Sequence, residues 1–238
     1  AVRRRLRENP DAIKIWATGG GIWRWETAMD QHYTMEEVQA VVDECKMRHV
    51  PVWSHCFGSA ANSVKAGVDL IIHGQSLDDE TLDLMAEKGI ALCPTINFMP
   101  AWLTTFPPKY DPALHDQYPG ETVAEKDLNR IYANLKKARD RGILLTTGSD
   151  SFNSQMTPYG ETLVGELHAF VECAGISEMD TIVAATLNGV DEITGSLESG
   201  KSADLLVIDG NPLKNIRELT VDTMSVIMKE GEFIRRTI

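Results

Sequence analysis

Short apolar runs alternate with longer amphipathic stretches along most of the chain. The apolar runs are rich in β-branched residues: AIKIWAT (12–18), VPVWSH (50–55), VDLIIH (68–73), GIALCPT (89–95) and GILLTTGSD (142–150). Between them lie TMEEVQAVVDECKMRH (34–49), SAANSVKAG (59–67), DDETLDLMAEKG (78–89) and a stretch around 121–141, where hydrophobic positions recur at helical spacing. Helix punctuation agrees with this division. Thr34 with Glu37 reads as a capping box, Ser177 with Asp180 as a similar N-terminal signal, and Gly67, Gly89 and Gly142 stand where helices should stop. Strand, helix, strand at this spacing predicts βα units and a parallel sheet, as a barrel or a doubly wound layer.

Two regions break the rhythm. Residues 97–120 hold five of the ten prolines together with Trp102, Phe106, Tyr110 and Tyr118, which predicts a long irregular loop. Beyond about Gly195 the pattern becomes SGKSADLLVIDGNP and then MSVIMKEGEFI, which predicts a few antiparallel strands, with KEGE a hairpin turn. The expected division is therefore 1–195, the βα part, and 196–238, strands of a small β element. The opening AVRRRLRENP reads as the last turns of a helix, so this sequence is expected to start partway through a longer protein.

Composition narrows the classes. Hydrophobic residues at 43% and charged residues at 24% are those of a globular protein. The net charge of −12 repels phosphate backbones, which excludes a general nucleic-acid role, and no apolar run reaches the length of a membrane span. The four cysteines form no CxxC pair and are too few for a disulfide scaffold, so they are read as reduced in a cytoplasmic protein. The triplet GGG at 19–21 follows a strand but does not fit the dinucleotide pattern GxGxxG.

Chemistry gathers at the ends of the apolar runs. His55 ends one, His73 ends the next, Asp150 ends the fifth, and Lys14 lies within the first. Groups at the carboxyl ends of parallel strands converge on one mouth, and His with Asp suits a divalent metal. Lys14, between Ile13 and Ile15, is expected to be buried and to need a partner, a lowered pKa or a covalent modification. Each residue also has a plainer role open to it. A strand-end histidine can serve packing, Asp150 can cap the following helix, and Lys14 can form a salt bridge.

The stretches IKIWATGGG (13–21), VWSHCFGSAANSVKAGVDLIIHG (52–74), LMAEKGIALCPT (84–95), LLTTGSDS (144–151), AATLNG (184–189) and GKSADLLVIDGNPL (200–213) resemble the amidohydrolase superfamily, in particular its imidazolonepropionase- and prolidase-like branch. The resemblance covers essentially the whole chain. It implies a (β/α)8 TIM barrel of amidohydrolase type, of which strands 4–8 are present, followed by part of a small β-sandwich. It implies two divalent metal ions, zinc being the expected one. Lys14 would be the carboxylated strand-4 lysine that bridges them, His55 and His73 ligands of the second metal, and Asp150 a ligand of the first metal and the proton shuttle. The implied reaction is hydrolysis of an amide-like C–N bond in a dipeptide or N-acyl amino acid by a hydroxide held between the metals. A mononuclear deaminase of the same superfamily is the alternative enzyme, although such relatives generally lack the strand-4 lysine. A non-catalytic half-barrel that needs a missing segment is the alternative outside catalysis.

Two departures from the family pattern matter. The family places an HxH motif at the end of strand 1, and here His32, His49, His115 and His168 are scattered. Strands 1–3 have no counterpart, so the first third to half of the protein is expected to precede Ala1. Dipeptidase relatives often carry Tyr two residues after the strand-5 histidine, whereas this chain has Phe57, which cannot donate a hydrogen bond to a substrate carboxylate. Phe57 and Trp23, with Trp25, are expected near the barrel mouth, where aromatic surface suits an apolar substrate, and Arg24 could grip an anionic group. The expected partner is a small molecule, with homo-oligomers common among relatives. Cys56 is expected to point away from the ligand side by strand alternation, and His168 to be structural.

Overall fold

A computed structural model describes residues 1–20, 27–97, 123–151, 157–186 and 192–237. The described residues form two compact units. One comprises residues up to Ile96 together with those from 123 to Leu145, and the other comprises Asn97 and the residues from Thr146 onward.

The first unit opens with a short helix α1 (Val2–Leu6) and then alternates strand and helix: β1 (Ile13–Trp16), α2 (Met35–Lys46), β2 (Val52–Cys56), α3 (Ala61–Ala66), β3 (Leu70–His73), α4 (Asp79–Lys88), β4 (Ala91–Cys93) and α5 (Val123–Asp140). The four strands make one parallel sheet in the order β1-β2-β3-β4. Spatial order therefore follows chain order, with no reversal among these strands. That is the succession found in barrel walls, and it contains no switch point of the doubly wound kind.

Local sequence explains the element ends. The Thr34 hydroxyl accepts the Glu37 N–H while the Glu37 carboxylate accepts the Thr34 N–H, a complete capping box for α2. Gly67 and Gly89 end α3 and α4 in the left-handed conformation that glycine adopts without strain. Val38, Val42 and Cys45 of α2 recur at i, i+4 and i+7 and have no exposed surface. Burying each valine stabilises the layer by about 1.5–3 kcal/mol.

The expected fifth strand is reduced to one parallel bridge, Leu92↔Leu145, with the Leu92 N–H donating to the Leu144 carbonyl at 2.9 Å. The ladder stops for a chemical reason. The next residue of β4's run in register to donate is Pro94, which has no N–H.

The second unit carries two helices, Glu161–Glu172 and Glu178–Thr186, and an antiparallel sheet of β5 (Leu205–Ile208), β6 (Met224–Lys229) and β7 (Glu232–Arg236) in that order. Val164 and Leu167 of its first helix pack with Ile216 and Leu219. The His168 ring donates from Nε2 to the Leu219 carbonyl at 2.9 Å, a structural role. Ser177 caps the second helix by accepting the Asp180 N–H. The KEGE turn is a two-residue hairpin with Glu230 and Gly231 both at positive φ, 51° and 83°, which matches the twist of the flanking strands. No helix among the described residues is long and apolar enough to cross a membrane.

Candidate active site

Strand alternation decides which side chains meet. On β1, Ile13 and Ile15 are buried while Lys14 and Trp16 face the other side and are exposed. The expectation of a buried Lys14 is therefore corrected: the flanking isoleucines belong to the opposite face of the strand. Among the described residues Lys14 has no ion-pair partner. On β2, Ser54 and Cys56 point to the covered face, where Ser54 Oγ lies 3.3 Å from Cys56 Sγ and 2.8 Å from Ser63 Oγ of α3. Cys56 is thus core, and the intervening His55 emerges on the side of Lys14 and Trp16.

Register then brings the histidines together. Trp16 is paired with His55, and Cys56 with His73, so the two imidazoles stand at the carboxyl ends of adjacent strands. His55 Nδ1 lies 3.0 Å from His73 Nε2. His73 Nδ1 lies 2.6 Å from the hydroxyl of Thr95, which itself donates to the Pro94 carbonyl at 2.8 Å. Both histidines and Thr95 are only 2% exposed. His55 Nε2 is buried without a hydrogen-bond partner.

Aromatic rings enclose the pair. Trp16 stacks on His55, with centroids 3.8 Å apart. Phe57 packs edge-on against His55 at 4.7 Å and tilted against His73 at 4.2 Å. The turn after β2 is held by Thr18, whose hydroxyl oxygen accepts both the Phe57 and Gly58 N–H groups at 2.9 and 3.1 Å. Gly19 is required by close approach, since a Cβ there would lie 1.9 Å from the Thr27 carbonyl oxygen.

Burial governs the protonation of the rings. Loss of solvation, and then the nearby Lys14 charge, push His55 down to about 3. His73 is lowered well below the usual histidine value, first by burial and then by His55 and Lys14. Both rings are therefore neutral at ordinary pH and have lone pairs to offer a cation.

Asp150 belongs to the second unit, is exposed, and has φ of 46°. It does not cap the next described helix, whose N-cap is Gly160. Trp23, Arg24 and Trp25, and with them Trp102, Phe106, Tyr110 and Tyr118, fall outside the described residues. Sequence reasoning does not single out Trp16, Thr18 or Thr95. Period-two alternation placed Trp16 beside Lys14 and could have revealed it, whereas no local pattern announces either threonine.

The model of the amidohydrolase family matches residues 1–234. The chain belongs to the amidohydrolase family. Among amidohydrolase relatives it is similar to the ochratoxinase of Aspergillus niger, 28% identical over 226 residues that make up 91% of this chain and 44% of that protein. It is also similar to the imidazolonepropionase of Picrophilus torridus, 31% identical over 99 residues, or 40% of this chain and 24% of that protein. The crystal structure of a Xaa-Pro dipeptidase with methionine bound in its active site superposes with a TM-score of 0.82 at 30% identity, covering 99% of this chain and 57% of that one. The chain thus spans about half the length of the ochratoxinase and of the dipeptidase.

A divalent metal, which the amidohydrolase family implies, fits the histidine pair as a partial set of ligands. Two buried neutral imidazoles present facing nitrogens, and the ring nitrogen turned away on His73 is occupied by Thr95, as ligating histidines require. Among the described residues no cluster of three or more His, Cys, Asp or Glu side chains is positioned to hold a metal.

Proposed function

We propose that the protein carrying this chain is a metal-dependent hydrolase that cleaves an amide-type C–N bond of a small molecule such as a dipeptide or N-acyl amino acid. The observation that carries this reading is the buried, neutral His55–His73 pair at the carboxyl ends of adjacent parallel strands in an amidohydrolase chain. Similarity to an ochratoxinase and to a Xaa-Pro dipeptidase supports amide-type substrates. We take the β1-β2-β3-β4 sheet to be part of a (β/α)8 barrel wall, and the β5-β6-β7 sheet to form part of a small β-sandwich.

In this reading His73 Nε2 and, with the His55 proton moved to its Nε2, His55 Nδ1 would hold a divalent metal, with zinc expected. Lys14, as a carboxylated lysine, would supply an anionic ligand beside them, where a second ion would add to the site. When bound, the ions supply a nucleophilic hydroxide near neutral pH and polarise the scissile carbonyl. Carboxylation would convert the Lys14 ammonium, with carbon dioxide, into a carbamate and release two protons. It thereby changes the charge beside the histidines from repulsive to attractive for cations. Asp150 would accept the proton of the nucleophile and return it to the leaving amine. Phe57 covers both histidine rings and excludes water from that side. With Trp23 and Arg24 it would line the substrate pocket, presenting apolar surface where a dipeptidase tyrosine would bind a carboxylate.

The test combines metal analysis of the full-length protein with assays on N-acyl amino acids and dipeptides. About two metal ions per chain, hydrolysis, and loss of roughly 100-fold or more of turnover in a folded Asp150→Asn variant are expected. Full activity in that variant, or in metal-stripped protein, overturns the reading.

A further inference from the structure

Thr95 sits in a conformation that its residue type resists. Its φ is 49°, in the left-handed region that β-branched side chains seldom enter. His73, its hydrogen-bond partner, is also left-handed at 73°. Strain at a buried position persists where the surroundings over-determine it, and such positions cluster at functional sites.

The surroundings here are two hydrogen bonds whose directions can be assigned. The Pro94 carbonyl, 2.8 Å from Thr95 Oγ, can only accept, so it receives the hydroxyl proton. Only lone pairs then remain on Oγ. With the hydroxyl proton directed at Pro94, His73 Nδ1, 2.6 Å away, is the donor. A neutral imidazole has a single N–H. With Nδ1 protonated, His73 Nε2 is a bare lone pair, and this is the atom 3.0 Å from His55 Nδ1. At 2% exposure for Thr95 and for His73, water does not replace the hydroxyl.

We propose that Thr95 is a positioning residue whose hydroxyl locks His73 in the Nδ1–H tautomer and so presents Nε2 as a metal ligand. The proposal rests on the reading of the His55–His73 pair as part of a metal site. It accounts for a threonine in a backbone conformation that glycine would adopt freely: the site needs the hydroxyl, and the left-handed turn delivers it to both partners.

The test uses the full-length protein with Thr95→Ser, Thr95→Val and Thr95→Gly. Zinc affinity is measured by competition with a chromophoric chelator. The His73 tautomer is read from long-range proton–nitrogen correlations in metal-free protein labelled with nitrogen-15 histidine. The serine variant should bind zinc within about threefold of wild type. The valine and glycine variants should bind roughly 10- to 100-fold more weakly and show a mixture of His73 tautomers. The glycine variant separates the roles, because it relaxes the strained backbone while removing the hydroxyl. It also carries the test if the valine variant does not fold. Wild-type zinc affinity and an unchanged tautomer in Thr95→Gly would overturn the proposal. If the wild-type protein binds no zinc, the metal reading itself falls, and a His73 tautomer that persists in Thr95→Gly would then overturn the hydroxyl's role as well.

Discussion

Trp16 and His55 lie ring on ring across the β1–β2 pair, with planes 20° apart, because parallel register places them side by side on the same face of the sheet. The indole covers one face of a buried imidazole while keeping 40% of its own surface exposed. Trp16→Ala should lose the stacking, worth about 0.5–1.5 kcal/mol beyond the area it covers, and should lower the urea midpoint. Trp16→Phe should retain most of it. Equal midpoints for wild type and Trp16→Ala would show that the stack contributes nothing.

Stability should fall with acid in a defined window. His55 is pushed to about 3 in the folded chain, His73 is also lowered, and both return to the ordinary histidine value on unfolding. Below about pH 6.5 the unfolded state therefore binds protons that the folded state refuses, and stability drops as pH falls towards 3. The slope approaches about 1.4 kcal/mol per pH unit for each histidine. Urea midpoints of metal-stripped protein between pH 7.5 and 5 would show it. The double variant His55→Gln/His73→Gln should flatten the profile between pH 6.5 and 5, and an undiminished slope there would assign the effect to other groups.

Two glycines should respond differently to alanine. At Gly19 the added methyl meets the Thr27 carbonyl oxygen, so the backbone beside β1 must move. Overpacking of this kind costs about 1–3 kcal/mol. At Gly89 there is nothing within 4 Å, and the cost comes only from the φ of 68°, about 1–2 kcal/mol. Thermal melts should rank Gly19→Ala as also disturbing the near-ultraviolet signal of the tryptophans, and Gly89→Ala as leaving it intact. The reverse ranking would contradict the close approach.

Lys14 offers a direct spectroscopic check. Metal-loaded protein prepared with carbon-13 bicarbonate should show a carbamate carbon resonance that disappears in Lys14→Arg. Its presence in the arginine variant would place the modification elsewhere.

Several elements are legible in the sequence. The Thr34–Glu37 capping box, the stops at Gly67 and Gly89 and the KEGE hairpin are local chemistry, settled within a few residues, and each occurs where the sequence places it. The parallel βα succession was legible too, because helices of this length between apolar runs cannot connect antiparallel hairpins. The fifth strand was overread: its apolar run is intact, but the partner that should extend the ladder continues into Pro94. The isoleucines on either side of Lys14 in sequence suggest burial, whereas its neighbours in space are those of the other face.

By itself the sequence determined the element order, the helix ends and the presence of two strand-end histidines, since capping, glycine conformation and hydrophobic period act over a few residues. Tertiary structure alone decided that His55 faces His73 through Nδ1 and Nε2, that Trp16 and Phe57 cover the pair, and that Thr95, more than twenty residues beyond His73 in the chain, holds its other nitrogen. Those contacts follow from strand register and from two left-handed residues at strand ends. Register is set by how whole strands pack against their helices, which no single stretch of sequence encodes.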